Sequence, residues 1–161
     1  MATAERLAQW ATLRDRYLAP ASRRPPSSAR GVHHVALISS DVERTIRFYQ
    51  DLCGFPLTEL FENRDYEGST HFFFDIGHGN ALAFFDLPGL DLGAYAEVLG
   101  GLHHLAISMT PSEWDAAVVR LEAAGVELLR IHSSVYFRDP DGARIELISD
   151  PLGEMYGSPV M

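Results

Sequence analysis

The chain has 161 residues, 47% of them apolar and 22% charged, with a formal net charge of −9. That length can bury a sizeable core in one domain, and an acidic surface repels phosphate backbones, so neither nucleic acid nor an anionic membrane is expected as a partner. All thirteen basic residues are arginine, which excludes lysine Schiff-base chemistry, and Cys53 is the only cysteine, which excludes an intrachain disulfide.

No apolar run approaches a membrane span and no secretory signal is evident, so a cytoplasmic location is expected. Residues 3–18 place Leu7, Trp10, Leu13, Tyr17 and Leu18 at helical spacings. From Pro20 to Ser28 the prolines remove backbone donors, and the segment reads as an extended linker. Residues 1–30 are therefore either an arm that packs Trp10 and Tyr17 on a partner subunit or a dispensable tail.

From residue 31 the sequence repeats itself. Gly31-Val-His-His-Val-Ala-Leu-Ile-Ser39 returns 70 positions later as Gly101-Leu-His-His-Leu-Ala-Ile-Ser108. Each copy alternates like a strand and leads through a polar turn into a helix. In the first, Ser40 or Asp41 can cap, and Val42, Ile46, Tyr49 and Leu52 make an apolar face. In the second, Pro111 opens the helix, and Trp114, Ala117, Val118 and Leu121 make the face. The helices end at Gly54 and Gly125.

Three strands are predicted after each helix: 56–62, 69–76 and 80–87, then 126–131, 134–138 and 143–149. Gly77-His-Gly-Asn80 and Asp139-Pro-Asp-Gly142 are the turns. The order is β-α-β-β-β, twice, an α+β fold. The modules span 31–87 and 101–149, a linker runs from Pro88 to Gly100, and residues 151–161 form a tail.

This order, the doubled His-His motif and the ending Tyr136-Phe-Arg-Asp-Pro-Asp-Gly-Ala-Arg-Ile-Glu-Leu147 resemble the vicinal oxygen chelate superfamily. That superfamily holds glyoxalase I, extradiol dioxygenases, fosfomycin-resistance thiol transferases and bleomycin-binding proteins. The resemblance covers roughly residues 31–150 and implies paired modules whose sheets curl into a cup around a metal. It specifies the fold more closely than the reaction.

Alternation makes His33 and His34 point to opposite faces, and likewise His103 and His104. The superfamily's metal histidine lies fifteen positions before the second aromatic of a Phe-Tyr pair, here Tyr49, which selects His34. The repeat then selects His104. Ile145 and Leu147 share the helix-packed face, which leaves Arg144, Glu146 and Ile148 on the cup face. Glu146 falls at the superfamily's carboxylate position.

The resemblance thus implies one divalent metal on His34, His104 and Glu146, with Fe(II) or Mn(II) favoured and Zn, Ni or Co as alternatives. Aligning the two turns sets Ala83 opposite Glu146, which breaks the two-His, two-Glu pattern of glyoxalase I and leaves a three-ligand set. Tyr136, His71 and His132 are candidate catalytic groups on the cup face, with packing as the competing role of Tyr136. Phe73 and Phe85 face the cup by the same register, and the other phenylalanines are core.

The stretch Leu129-Arg-Ile-His-Ser-Ser134 is too short for the loop usual there, so either the hairpin is tight or a segment is missing. The expected function is a metal-dependent enzyme on a small-molecule substrate, first an extradiol-type dioxygenase. The alternatives are a glyoxalase-like lyase or isomerase, a thiol transferase, or a metal-free binding protein. A homodimer is the expected assembly.

Overall fold

A computed structural model of the chain describes residues 2–160. It separates into two units, Met1–Gly31 and Val32–Met161. In the first, α1 (Ala4–Tyr17) is capped by Thr3, whose hydroxyl accepts from the Arg6 amide, and none of its residues is buried. A short 3₁₀ turn, Ala21–Arg23, interrupts the proline-rich segment that follows.

The second unit contains both modules. β1 (His34–Ile38) leads into α2 (Val42–Ile46), which continues as a π-helix over Arg47–Cys53. Asp41 is the cap, its carboxylate accepting from the Arg44 amide at 2.9 Å. The helix stops at Gly54, at φ 84°, where an added Cβ would also stand 3.0 Å from Arg120 Nη2. β2 (Leu57–Glu62), β3 (Thr70–Asp75) and β4 (Ala81–Phe85) complete the module.

The second copy runs through β5 (Leu105–Ser108), α3 (Pro111–Ala123), β6 (Leu129–Ile131), β7 (Ser134–Arg138) and β8 (Arg144–Ile148). The segment after 150 is not featureless: β9 (Glu154–Met155) and β10 (Ser158–Pro159) pair as a small hairpin.

The two sheets have matching orders, β1-β4-β3-β2 and β5-β8-β7-β6, each with one parallel and two antiparallel pairings. Their registers superpose. Ala36 pairs with Ala83 as Ala106 pairs with Glu146, and Phe73 pairs with Ala83 as Tyr136 pairs with Glu146. Ala83 therefore holds the position in the first sheet that Glu146 holds in the second.

At 130–134 this chain makes a tight hairpin. β6 and β7 are joined by His132-Ser133 alone, with His132 at φ 53°.

One core serves both modules. Phe72, Phe74, Leu82 and Phe84 of the first sheet and Val135, Phe137, Ile145 and Leu147 of the second enclose Phe48, Tyr49, Ala117, Val118 and Leu121 of the helices. The helix-bearing faces of the two sheets thus share a single apolar interior. Polar ties lock the modules: Tyr49 Oη donates to Asp139 Oδ2 at 2.9 Å, and Arg120 Nε donates to Leu52 O at 2.9 Å. Arg44 meets Asp141 at 3.0 Å.

Candidate metal centre and cup faces

Strand alternation buries one face of each sheet in that core and leaves the candidate site residues on the other. On the second sheet, His104 Nε2 lies 3.0 Å from Glu146 Oε2. Glu146 is 3% exposed, and its other oxygen accepts from Ser134 Oγ at 2.5 Å. Tyr136 stands edge-on to the His104 ring, with centroids 5.8 Å apart. Burial, reinforced by the neighbouring Glu146 carboxylate, raises the Tyr136 hydroxyl above its ordinary value. A groove of about 980 Å³ runs along this face past His104, Leu129, Ile131, Tyr136 and Arg144.

On the first sheet, His34 lies at the start of β1 with its ring 6.3 Å from that of Phe73. His71 is packed between Phe85 and Phe73, at centroid distances of 3.9 and 4.2 Å, with Phe61 at 5.4 Å. Its Nε2 is buried without a hydrogen-bond partner. Burial and the nearby His34 lower its pKa.

His71, Phe73 and Phe85 therefore lie on the face expected of them. The His34 face is not joined to the His104–Glu146 face. Among the described residues, no group of three or more His, Cys, Asp or Glu side chains is placed to hold a metal ion. The sheets meet through their helix sides, so the predicted ligands of one chain lie on two separate faces.

Two expectations need correction. His33 and His103 do not point away from their neighbours. Both precede their strands, and their Nδ1 atoms lie 2.9 Å from His34 Nδ1 and 2.6 Å from His104 Nδ1. Strand alternation does not apply to residues outside the ladder. Each such contact engages Nδ1 of the second histidine, and His104 Nε2 is left for Glu146 Oε2 at 3.0 Å. His132 is not a cup-face strand residue either. It forms the exposed turn, with its ring 5.9 Å from Tyr156.

The sequence reading also missed groups. Ser134 shares the parity of Tyr136 and so was legible as a cup residue. Glu97 was not, because it comes from the linker. Its Oε1 is 3.0 Å from Arg138 Nη2 and 2.8 Å from Arg144 Nη2. Partial burial favours the protonated acid, but Arg138, Arg144 and His103 together hold the Glu97 carboxyl below its usual range.

Residues 31–147 match the profile of the Glyoxalase/Bleomycin resistance protein/Dioxygenase superfamily. The chain belongs to this superfamily.

Among its relatives, the metallothiol transferase FosB of Shouchella clausii is 30% identical over 77% of this chain and 83% of its own length. The putative ring-cleaving dioxygenase MhqA of Bacillus subtilis is 23% identical over 81% of this chain. The chain spans only 43% of that relative's length. A solved structure of a variant of the fosfomycin resistance protein FosX from Listeria monocytogenes, complexed with Mn(II) and a dihydroxypropylphosphonic acid, aligns with TM-score 0.56 and 25% identity. That alignment covers 76% of this chain and 94% of the other. Among the described residues no helix is long and apolar enough to cross a membrane.

Proposed function

We propose that the protein is a divalent-metal enzyme acting on a small oxygen-chelating compound, with His34, His104 and Glu146 as the ligands. The observation that carries this is the His104–Glu146 pair, a buried carboxylate set 3.0 Å from an imidazole Nε2. A buried carboxylate is costly unless compensated, and here Ser134 meets one oxygen and His104 Nε2 the other, so the charge is kept beside the imidazole. The donor set, imidazole nitrogen with carboxylate oxygen, suits Mn(II) or Fe(II), and the Mn(II) complex of the FosX relative agrees with that choice.

When bound, such a metal supplies a Lewis acid with open positions for a chelating substrate. Ala83, at the place of a fourth carboxylate, leaves the first-sheet side of the site open.

The site is completed between two copies, the His34 face of one laid against the His104–Glu146 face of the other. Apolar side chains support this. Phe61 is 46% and Ile38 47% exposed on the first face, Ile131 41% and Leu129 61% on the second. Large apolar groups beside a polar site mark a surface that another protein surface covers.

Of the reactions open to such a site, ring-cleaving dioxygenation is favoured by the wall of Phe61, Phe73 and Phe85 around His71, and by Tyr136 beside His104. His71, whose pKa burial and the nearby His34 lower, is offered as the group that takes a proton from a bound phenol, and Tyr136 as a donor of a hydrogen bond to an anionic oxygen. Thiol transfer is the second reading, favoured by the 30% identity to FosB. Oxygen uptake by anaerobically Fe(II)-loaded protein with a catechol panel tests the first. No uptake, together with thiol consumption when fosfomycin is supplied to Mn(II)-loaded protein, would replace it with the second.

A further inference from the structure

The linker between the modules lays a carboxylate across the cup face of the second sheet. Glu97 Oε1 is within 3.0 Å of both Arg138 Nη2 and Arg144 Nη2, and Oε2 is 3.9 Å from His103 Nε2. The two arginines are cross-strand partners on β7 and β8, on the same face as the partnered Tyr136 and Glu146. Their counterparts in the first sheet are Asp75 and Ala81. The basic pair is therefore no consequence of the repeated fold, and it stands out in a chain of net charge −9.

The guanidiniums are held independently of Glu97. Arg138 Nη1 donates to Gly142 O at 3.0 Å, and the Tyr95 ring lies 5.6 Å from the Arg138 guanidinium carbon. Arg144 Nη1 is 3.1 Å from His103 Nε2. Glu97 belongs to a linker segment without regular secondary structure, and its side chain is 30% exposed. Two preset guanidiniums converging on one carboxylate oxygen make a receptor for a planar anion, a task arginine performs better than lysine.

We infer that Arg138 and Arg144 form a carboxylate-recognition subsite beside the His104–Glu146 pair, and that Glu97 fills it until a substrate carboxylate displaces it. The inference rests on the proposed small-molecule site and narrows its substrate class to oxygen chelators that bear a carboxylate. One groove passes His104, Tyr136, Arg138 and Arg144, so a single ligand reaches both the chelating pair and the arginines. Glu97 then acts as a selectivity filter. A neutral ligand gains nothing by displacing it, whereas an anionic one replaces its ion pairs.

The test uses the full chain without metal, titrated calorimetrically with benzoate and with its neutral isostere benzamide. Glu97→Gln removes the internal anion and is expected to tighten benzoate binding roughly tenfold while leaving benzamide unchanged. Arg144→Met in the Glu97→Gln background is expected to abolish that gain. Unchanged or weaker benzoate binding in Glu97→Gln, or a gain shared equally by benzamide, overturns the subsite.

A second arm compares 3,4-dihydroxybenzoate with catechol on Mn(II)-loaded protein, where the carboxylate is expected to favour binding in the parent and more so in Glu97→Gln. Failure of Mn(II) to bind overturns the metal-site reading, and the benzoate arm still decides the subsite.

Discussion

Glu146 shows how a single side chain is committed to the site. Its carboxylate is almost wholly buried, with Ser134 on one oxygen and His104 Nε2 on the other. Glu146→Ala is expected to eliminate Mn(II) binding in equilibrium dialysis, and full retention would remove Glu146 from the ligand set. Ser134→Ala frees one carboxylate oxygen and is expected to weaken Mn(II) binding by roughly tenfold, the usual cost of losing a group that orients a ligand.

Tyr49 and Asp139 make the corresponding structural pair. Burial raises Asp139 above the ordinary carboxyl value, while hydrogen bonds from Tyr49, Ala143 and Asp141 favour its ionised form. A raised folded-state pKa means that Asp139 contributes stability below its unfolded value of about 3.9, and that this is lost as pH rises through the folded value. Tyr49→Phe removes a donor to the ionised form and raises the folded value further. The variant is expected to lose about 1.5–3 kcal/mol at neutral pH, with the deficit shrinking as the solution is acidified towards the range where Asp139 is protonated. Urea titrations across that range check it, and a deficit independent of pH would show that the hydroxyl does not bond to a carboxylate.

At the scale of elements, strands and helices were legible because apolar periodicity and turn residues agreed. The helix faces of Tyr49 and Leu121 and the alternation of Phe72, Phe73 and Phe74 each follow from one sheet face meeting a helix. The β6–β7 hairpin was ambiguous because His132-Ser133 lacks the residues that a turn with positive φ prefers. The chain makes the turn regardless, with His132 in the left-handed region at φ 53°. That conformation costs a side-chain-bearing residue roughly 1–2 kcal/mol, part of which glycine returns as entropy lost on folding. His132→Gly is therefore expected to raise stability by about 0.5–1 kcal/mol and Tm by roughly 2 °C, with Mn(II) binding unchanged. A calorimetric melt below the parent's would show that the His132–Tyr156 contact outweighs the strain.

At the scale of the whole molecule, the two modules are joined through helices, and the faces that carry the candidate ligands are left apart. If two copies complete each site, variants with complementary lesions restore function to one another. His34→Ala and Glu146→Ala proteins, each without metal alone, are expected after unfolding and refolding together to bind one Mn(II) per heterodimer, because one of its two sites is then intact. Light scattering is expected to show a dimer at micromolar concentration. A monomer, or a mixture that stays without metal, would return the ligand set to a single chain.

The amino-acid sequence alone determined the repeat, the β-α-β-β-β order, the register that sets Ala83 against Glu146, and the face on which His71, Phe73 and Tyr136 lie. These follow from local periodicity, which acts over a few residues and needs no knowledge of the rest of the chain. It could not place Glu97 over Arg138 and Arg144, because a linker has no period from which to read direction. Nor could it orient His33 and His103, which lie just outside the ladder that enforces alternation. Only the tertiary structure decided that the sheets share a core through their helix-bearing faces, because burial of those apolar faces against one another is a property of the folded pair. That packing leaves His34 on one face and His104 with Glu146 on another.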